Sequence, residues 1–404
     1  MRRNPSELQP REGSVTLWTV LTLVVCVGCV SLAANAGYLS LLRAESRRCA
    51  QAAAVTAARQ LLNDDMLRSN YRSFEAEGRR LNCASEAGAI AGEFRRRYPI
   101  PPLKHNDIRF HVRDADPALP MLSYVPSALD VVISNTSADE SIRGNLLLGG
   151  FAGFSHGRIA ETARVILNNR VTGFRAAPRT PIPMVPLAIP DDPDARLSAC
   201  WTTTIERRQG TDRLSRNSSG DITATGDRIP EIILTIDFDA PGPGRMCAVA
   251  PADPFTSAGA LMKLIRTGIT EADQAAMGTE MVRFPADGTM VKPSTADRTQ
   301  LMSHLTKLIG EPRIFPLYDA GTRTDKATSG HTGTDRAKSG GDVPSAPKLK
   351  LLRPVAARIM SLQAAGDDNV QLVLQPCVMS TPTMVSEITD NVSNPYIWNI
   401  RVAD

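Results

Sequence analysis

Gly153-Phe154-Ser155-His156-Gly157 is the stretch of this chain whose spacing matches a catalytic motif. Gly-x-Ser-x-Gly is the nucleophile elbow of α/β hydrolases. There the Ser sits on a tight strand-to-helix turn, and an Asp and then a His come later in the chain. Leu146 to Leu148 would be the strand and Arg158 onward the helix. The chain has five His, at 105, 111, 156, 304 and 331. Of those after Ser155, His156 is adjacent and His331 lies in a stretch too polar to order itself, so His304 is left as the base. No βαβ alternation surrounds the motif and no oxyanion motif precedes it. The sequence therefore favours a Gly-rich turn, with an anchored or secreted serine hydrolase as the alternative.

The other chemistry-bearing clusters are small. Asp237 and Asp239 place two carboxylates at i, i+2 before a turn, but no Glu closes a calcium loop. Cys26 and Cys29 have CxxC spacing inside an apolar run, where packing is expected rather than zinc or redox chemistry. Cys49, Cys83, Cys200, Cys247 and Cys377 complete the set, and a pair drawn from the last three is the expected disulfide, if one forms. Walker A, dinucleotide-binding and HExxH signatures are absent. No catalytic residue, cofactor, metal or small-molecule ligand is expected. A net charge of +4 from 46 basic and 42 acidic residues, with 5 % aromatics, gives no case for nucleic acid.

The elements that must carry any function begin at the N-terminus. No charge occurs from Gly13 to Leu42, and Val15 to Leu32 is strongly apolar. A bilayer core needs about 20 such residues. A membrane anchor is the preferred reading. A leader cleaved after Ala34-Asn35-Ala36 and a lipoprotein at Cys29 are its rivals. Beyond the span, Leu39, Leu42, Ser46, Cys49, Ala50, Ala53, Ala54, Ala57, Ala58 and Leu61 keep helical spacing with no Pro. Span and stripe would then form one helix over 15–63, with a small-residue seam open to close helix packing. The rival reading of the Ala face is packing on the chain's own domain.

Gly13-Ser14, the single apolar span, Gly37-Tyr38-Leu39, Arg43-Ala44-Glu45 and the run Ala50-Gln51-Ala52-Ala53-Ala54-Val55-Thr56-Ala57-Ala58 resemble the N-terminus of the TadE/TadG-like proteins of tight-adherence (Flp) pilus assembly. A weaker likeness runs from Asn145 to Arg175 and into PIPMVPLAIP. Asn35 and Gln51 stand where many members carry Asp. The Asp-x-Ser-x-Ser signature of larger members is missing. The resemblance implies a non-enzymatic pseudopilin-like protein, single-pass in the bacterial inner membrane, with its bulk outside the cytoplasm. Its partners would be the membrane and other pilus-assembly or pilin-like proteins. Arg43 and Glu45 would mark the membrane edge, and Cys49, Ala50, Ala53, Ala54 and Ala57 the helix-packing interface.

The expected fold class is α+β. A tail at 1–14 and the long helix at 15–63 precede a pilin-like layer of helix on antiparallel sheet at 67–177. The pattern predicts a helix over Phe74 to Tyr98, strands at Ile108 to Val112, Leu129 to Ser134 and Ile159 to Val171, and a short helix in Ser141 to Phe151. A Pro-rich linker at 178–199 leads to a β-rich, sandwich-like domain at 200–404, with a mobile loop at 320–347. Its strands are expected at Cys200 to Arg207, Ile229 to Phe238, Met246 to Val249, Leu349 to Leu362, Val370 to Val378 and Tyr396 to Val402. Helices are expected within Pro254 to Gly268 and Thr295 to Ile309.

Overall fold

A single helix, α1 (Glu12–Leu61), carries the chain from the apolar run into the core without a break. At 1.5 Å per residue its 50 residues span about 75 Å. The structure, a computed structural model, describes residues 12–69, 73–111, 124–134, 144–145, 156–157, 159–194, 196–237, 244–252, 255, 257–285, 288–293, 298–320, 349–365, 369–386 and 393–403. The expected loop at 320–347 lies outside the described residues beyond Ala320.

Helix α1 ends where polar groups take over its backbone. Arg79 donates to the Leu61 carbonyl over 3.3 Å, and Asn63 accepts from the Asp65 N–H as a short 3₁₀ turn (Asp64–Leu67) begins. Arg79 belongs to α2 (Ser73–Arg95), which runs back along α1 in the antiparallel sense. Ala76, Cys83, Ala87 and Ala91 of α2 are buried. Small side chains on both helices let the two backbones approach.

The other side of α1 lies on a sheet. Strands β1 (Ile108–His111), β2 (Ala128–Ser134) and β3 (Ala160–Asn168) are antiparallel neighbours. In β3, Ala163, Val165 and Leu167 are buried, whereas Arg164 and Ile166 are exposed. This period-two alternation puts one face on α1. On the other face Arg164 grips Asp130, its cross-strand partner, through bonds of 2.7 and 2.9 Å, and His111 adds a contact of 2.8 Å. The Arg164 hydrogen bonds hold the Asp130 carboxyl at about 2, below its ordinary 3.8. Such a depressed carboxylate stabilises the fold above about pH 4, and that stability is lost as pH falls through about 2. Asp130→Asn is therefore expected to lower the unfolding temperature at neutral pH, with the difference from the parent closing between about pH 4 and pH 2. A gap that stayed constant across that window would contradict the assignment.

The rest of the fold is a second set of strands: β4 (Leu187–Asp191), β5 (Ile232–Asp237), β6 (Arg245–Ala250), β7 (Thr289–Pro293), β8 (Pro312–Asp319), β9 (Leu349–Ala365) and β10 (Asn369–Pro376). Their pairings run β5–β10–β9–β8–β4–β6 and back to β5. That is a closed ring rather than the two facing sheets of the expected sandwich. Closure is possible because the 17-residue β9 serves two neighbours: Leu351–Arg358 pairs with β8 and Ala357–Ala365 with β10. Register shifts at Pro316/Tyr318 and Ile359/Ser361 supply the bend. Strand β7 bridges β6 and β9. Helices α3 (Ala258–Thr267), α4 (Glu271–Ala276) and α5 (Arg298–Thr306) complete this part, and Leu261, Leu264, Ile265, Leu301 and Leu305 are buried.

Four expectations change. The Pro-rich linker contains β4, a strand of the ring whose five residues are all buried. Pro186 and Pro190 are tolerated because the neighbours use different halves: β6 pairs at Leu187 and Ala188, β8 at Ile189 to Asp191. Cys200 to Arg207 is not a strand but a π-helical turn (Thr202–Glu206). Asp191 fixes it by accepting the Thr202 N–H over 2.8 Å, and the Thr203 hydroxyl donates to Leu197 O over 2.8 Å. In place of the helix expected in Ser141 to Phe151, Gly144–Asn145 pairs with His156–Gly157 as a short ladder, and the remainder lies outside the described residues. Finally, β11 (Ile397–Ala403) returns to the first sheet beside β3. The layer under α1 is thus closed by residues more than 200 positions away from β3 in sequence.

Candidate functional site

Two properties of α1 define the candidate site: what its first half exposes and what its second half buries. From Val15 to Leu32, eleven large apolar side chains are exposed, among them Leu17 at 71 % and Trp18 at 66 %. A soluble domain rarely leaves so continuous an apolar surface bare. At 1.5 Å per residue the stretch covers about 27 Å, close to the thickness of a bilayer core. Two of its hydroxyls are satisfied by the helix itself. Thr19 and Thr22 donate to the carbonyls of Val15 and Trp18, each over 2.8 Å, which hides their hydroxyls from an apolar surrounding. One N-terminal helix is thus long and apolar enough to cross a membrane.

A buried stripe overlaps the end of that stretch. Ser31 and Asn35 are buried, followed on the same helix by Leu42, Glu45, Ser46 and Cys49. The expected packing residues Cys49, Ala50, Ala53, Ala54 and Ala57 are each fully buried. The structure fills this seam with the chain's own α2, β2, β3 and β11. Of the two readings of the Ala face, the intramolecular one describes what the side chains touch. A second chain would have to displace the chain's own core to reach them. Burial also pushes the Cys49 thiol up to about 11 and the Cys83 thiol to about 12, so neither is a thiolate at neutral pH. Ala53→Leu adds three carbons where there is no room. Overpacking of this kind costs about 1–3 kcal/mol, so the unfolding temperature should fall by several degrees. A variant as stable as the parent would mean that the seam is loose.

Arg43 and Glu45 lie where the span ends. Arg43 is exposed. Glu45 is buried and accepts from Arg48 over 2.8 Å. With Glu93, Arg96, Arg97 and Tyr98 at the far end of α2, Glu45 and Arg48 line a cleft of about 430 Å³.

The strand, elbow and helix that the hydrolase alternative expects are described only in part. Gly153 to Ser155 lie outside the described residues, His156 belongs to a two-residue strand, and the next element is β3 rather than a helix. His304 sits on α5, which packs on α3 and β9. Asp237 ends β5, Asp239 lies outside the described residues, and no three His, Cys, Asp or Glu converge among the described ones. The expected pairing among Cys200, Cys247 and Cys377 does not occur. None of the seven cysteines is in a disulfide, and the Cys200 thiol is bonded to Leu197 O over 3.2 Å.

One cluster escapes sequence reasoning. Arg353 of β9 donates to Glu206 over 2.6 Å and lies 3.8 Å from the buried Asp191, in a cleft of about 380 Å³ that Thr202 and Asn394 also line. Nothing in the spacing of residues 191, 206 and 353 signals their meeting. These groups are committed to structure. Asp191 caps the π-helical turn, and Asn394 holds the N–H groups of Tyr396 and Ile397. Trp201 stacks edge-on against Tyr396 at 5.5 Å beneath them.

No family model, curated protein or solved structure matches this chain.

Proposed function

We propose that this chain is a membrane-anchored, non-enzymatic pilus-assembly protein of the pseudopilin-like kind, resembling TadE/TadG-like proteins. Its span sits in the bacterial inner membrane and its bulk lies outside the cytoplasm. The observation that carries the reading is the unbroken α1: one helix is bare and apolar at one end and the centre of a helix-on-sheet core at the other. A helix of this design transmits the position of its membrane half to the exterior domain, and the antiparallel sheet on its flank supports the pilin-like part of this reading.

Retention of the span is part of the proposal. A leader cleaved after Ala36 would strip Ser31 and Asn35 from a buried stripe that continues to Leu61. Because the Ala seam is internally filled, contact with other pilin-like subunits is assigned to the bare face of α1 between Val15 and Leu32. Residues such as Leu21 and Val24 point outward there. A photo-crosslinking amino acid at Leu21, activated in intact cells, is expected to capture a second single-span membrane protein. Adducts with lipid alone would overturn the assembly role while leaving the anchor in place.

A further inference from the structure

The cleft between α1 and the end of α2 brings cations together from two separate parts of the sequence. The antiparallel helix pair makes this unavoidable. Arg79, early in α2, reaches Leu61 at the end of α1, so the last turn of α2 must return to the level of Glu45 and Arg48. There Arg48, Arg96 and Arg97 line a cleft of about 430 Å³. These three arginines share the cleft with two glutamates, Glu45 and Glu93. Glu45 is already bonded to Arg48 at 2.8 Å. Arg96 and Arg97 are exposed, and neither forms an ion pair among the described residues.

Arginines in a last turn complement a helix dipole, and Arg95 does so for α2, with Arg96 and Arg97 just beyond it. That role needs neither an open cleft nor Arg48 from another helix. The position of the cleft supplies a better partner. The uncharged run ends at Leu42, so Arg48 lies about 9 Å further along the helix, within reach of the headgroup layer of a bilayer whose core holds the run. Helical side chains slant toward the N-terminus, which for Arg43, Arg47 and Arg48 is toward the span. A guanidinium fork matches phosphate oxygens in pairs, and a Tyr with an apolar ring and polar tip suits the same layer. The volume is that of a site for a small polar group rather than a bare surface.

We propose that this cleft binds the phosphate headgroup of an anionic membrane phospholipid, with Arg48, Arg96 and Arg97 as its ligands and Tyr98 at its rim. The proposal rests on the anchored reading of α1. A bound lipid would fix the height and tilt of the exterior domain at the membrane, because the cleft is built from the same helix that crosses it.

The test uses the full chain in nanodiscs holding equal amounts of phosphatidylglycerol and phosphatidylcholine, with retained lipid read by native mass spectrometry. The parent is expected to keep phosphatidylglycerol preferentially. In the Arg96→Gln/Arg97→Gln variant that preference should fall about thirtyfold, given the contribution of each basic residue at an anionic surface. Arg283→Gln, an exposed arginine on a short strand paired with Gly173, should leave it unchanged. Equal retention of the two lipids by the parent, or an undiminished preference in the double variant, would overturn the site while leaving the anchor standing. Displacement of phosphatidylglycerol by millimolar inorganic phosphate would assign the cleft to a free anion and overturn the lipid. Failure of the chain to enter nanodiscs of either lipid alone would overturn both the anchor and the site.

Discussion

Asp64→Ala is expected to cost about 3 kcal/mol of stability, because it breaks the joint between α1 and the barrel. Asp64 opens the turn just after α1 and pairs with Arg358 of β9, whose side chain is 11 % exposed. Its other oxygen accepts the Val378 N–H over 2.7 Å. Removing one partner of a buried pair leaves the other charge without compensation, a loss of about 3–5 kcal/mol. The lower end applies because Asp64 keeps 29 % exposure. Neighbouring contacts reinforce the joint. Arg208 donates to Leu67 O over 3.2 Å, and the Ser69 N–H reaches Arg228 O over 3.1 Å. Asp64→Asn keeps an acceptor for Val378 but loses the charge, so it should fall between parent and Ala variant. Thermal unfolding of the three chains in nonionic detergent checks the order. An Ala variant within about 0.5 kcal/mol of the parent would place Arg358 in water and leave the helix unattached to the barrel.

Val24→Arg is expected to remove the chain from the membrane. Val24 is 63 % exposed and lies near the middle of the apolar stretch. At the centre of a spanning helix an Arg costs about 3 kcal/mol, which is more than about a hundredfold in partition. Val24→Leu should change nothing. The pair separates two environments with opposite signs. In lipid the Arg variant shifts to the soluble or degraded fraction. In water the same Arg replaces a bare apolar side chain and improves solubility. Fractionation of cells expressing each variant reads the difference, and a more soluble, fully folded Arg variant would contradict the anchor.

Much of this architecture is legible because it is local. The uncharged run, the helical spacing from Leu39 to Leu61 and the absence of Pro point to a single long helix, and α1 is continuous over Glu12–Leu61. Alternation marks β2, β3, β5 and β10. The features that escape are non-local. β4 hides among prolines that usually signal a linker, and its strand character depends on neighbours at 245–250 and 312–319. β8 carries Pro316 within it, and nothing in its own pattern marks it as a strand. Barrel closure requires β9 to bend between two partners, and no periodicity encodes that. The return of β11 to the first sheet is a pairing across most of the chain. The Thr-rich stretch 202–206 has the composition of a strand, but Asp191 captures it as a helical turn.

The seam shows a different limit. Spacing places Cys49, Ala50, Ala53, Ala54 and Ala57 on one face and says that something packs closely there. It does not say whether the neighbour belongs to another chain. The 23-residue α2, with its own small-residue face, fills that position from within. The helix surface not covered by the chain's own core is the apolar half of α1 from Val15 to Leu32. Glu45 lies in a basic cleft between α1 and the end of the chain's own α2, and Arg43 is exposed.

The intact mass of the mature protein, taken from separated membrane and soluble exterior fractions, tests the central claim most directly. An unbroken α1 that joins a membrane span to the core predicts an uncleaved chain in the membrane fraction. A soluble chain beginning at Gly37 would contradict it, since the span would then be a leader and the exterior domain a free protein.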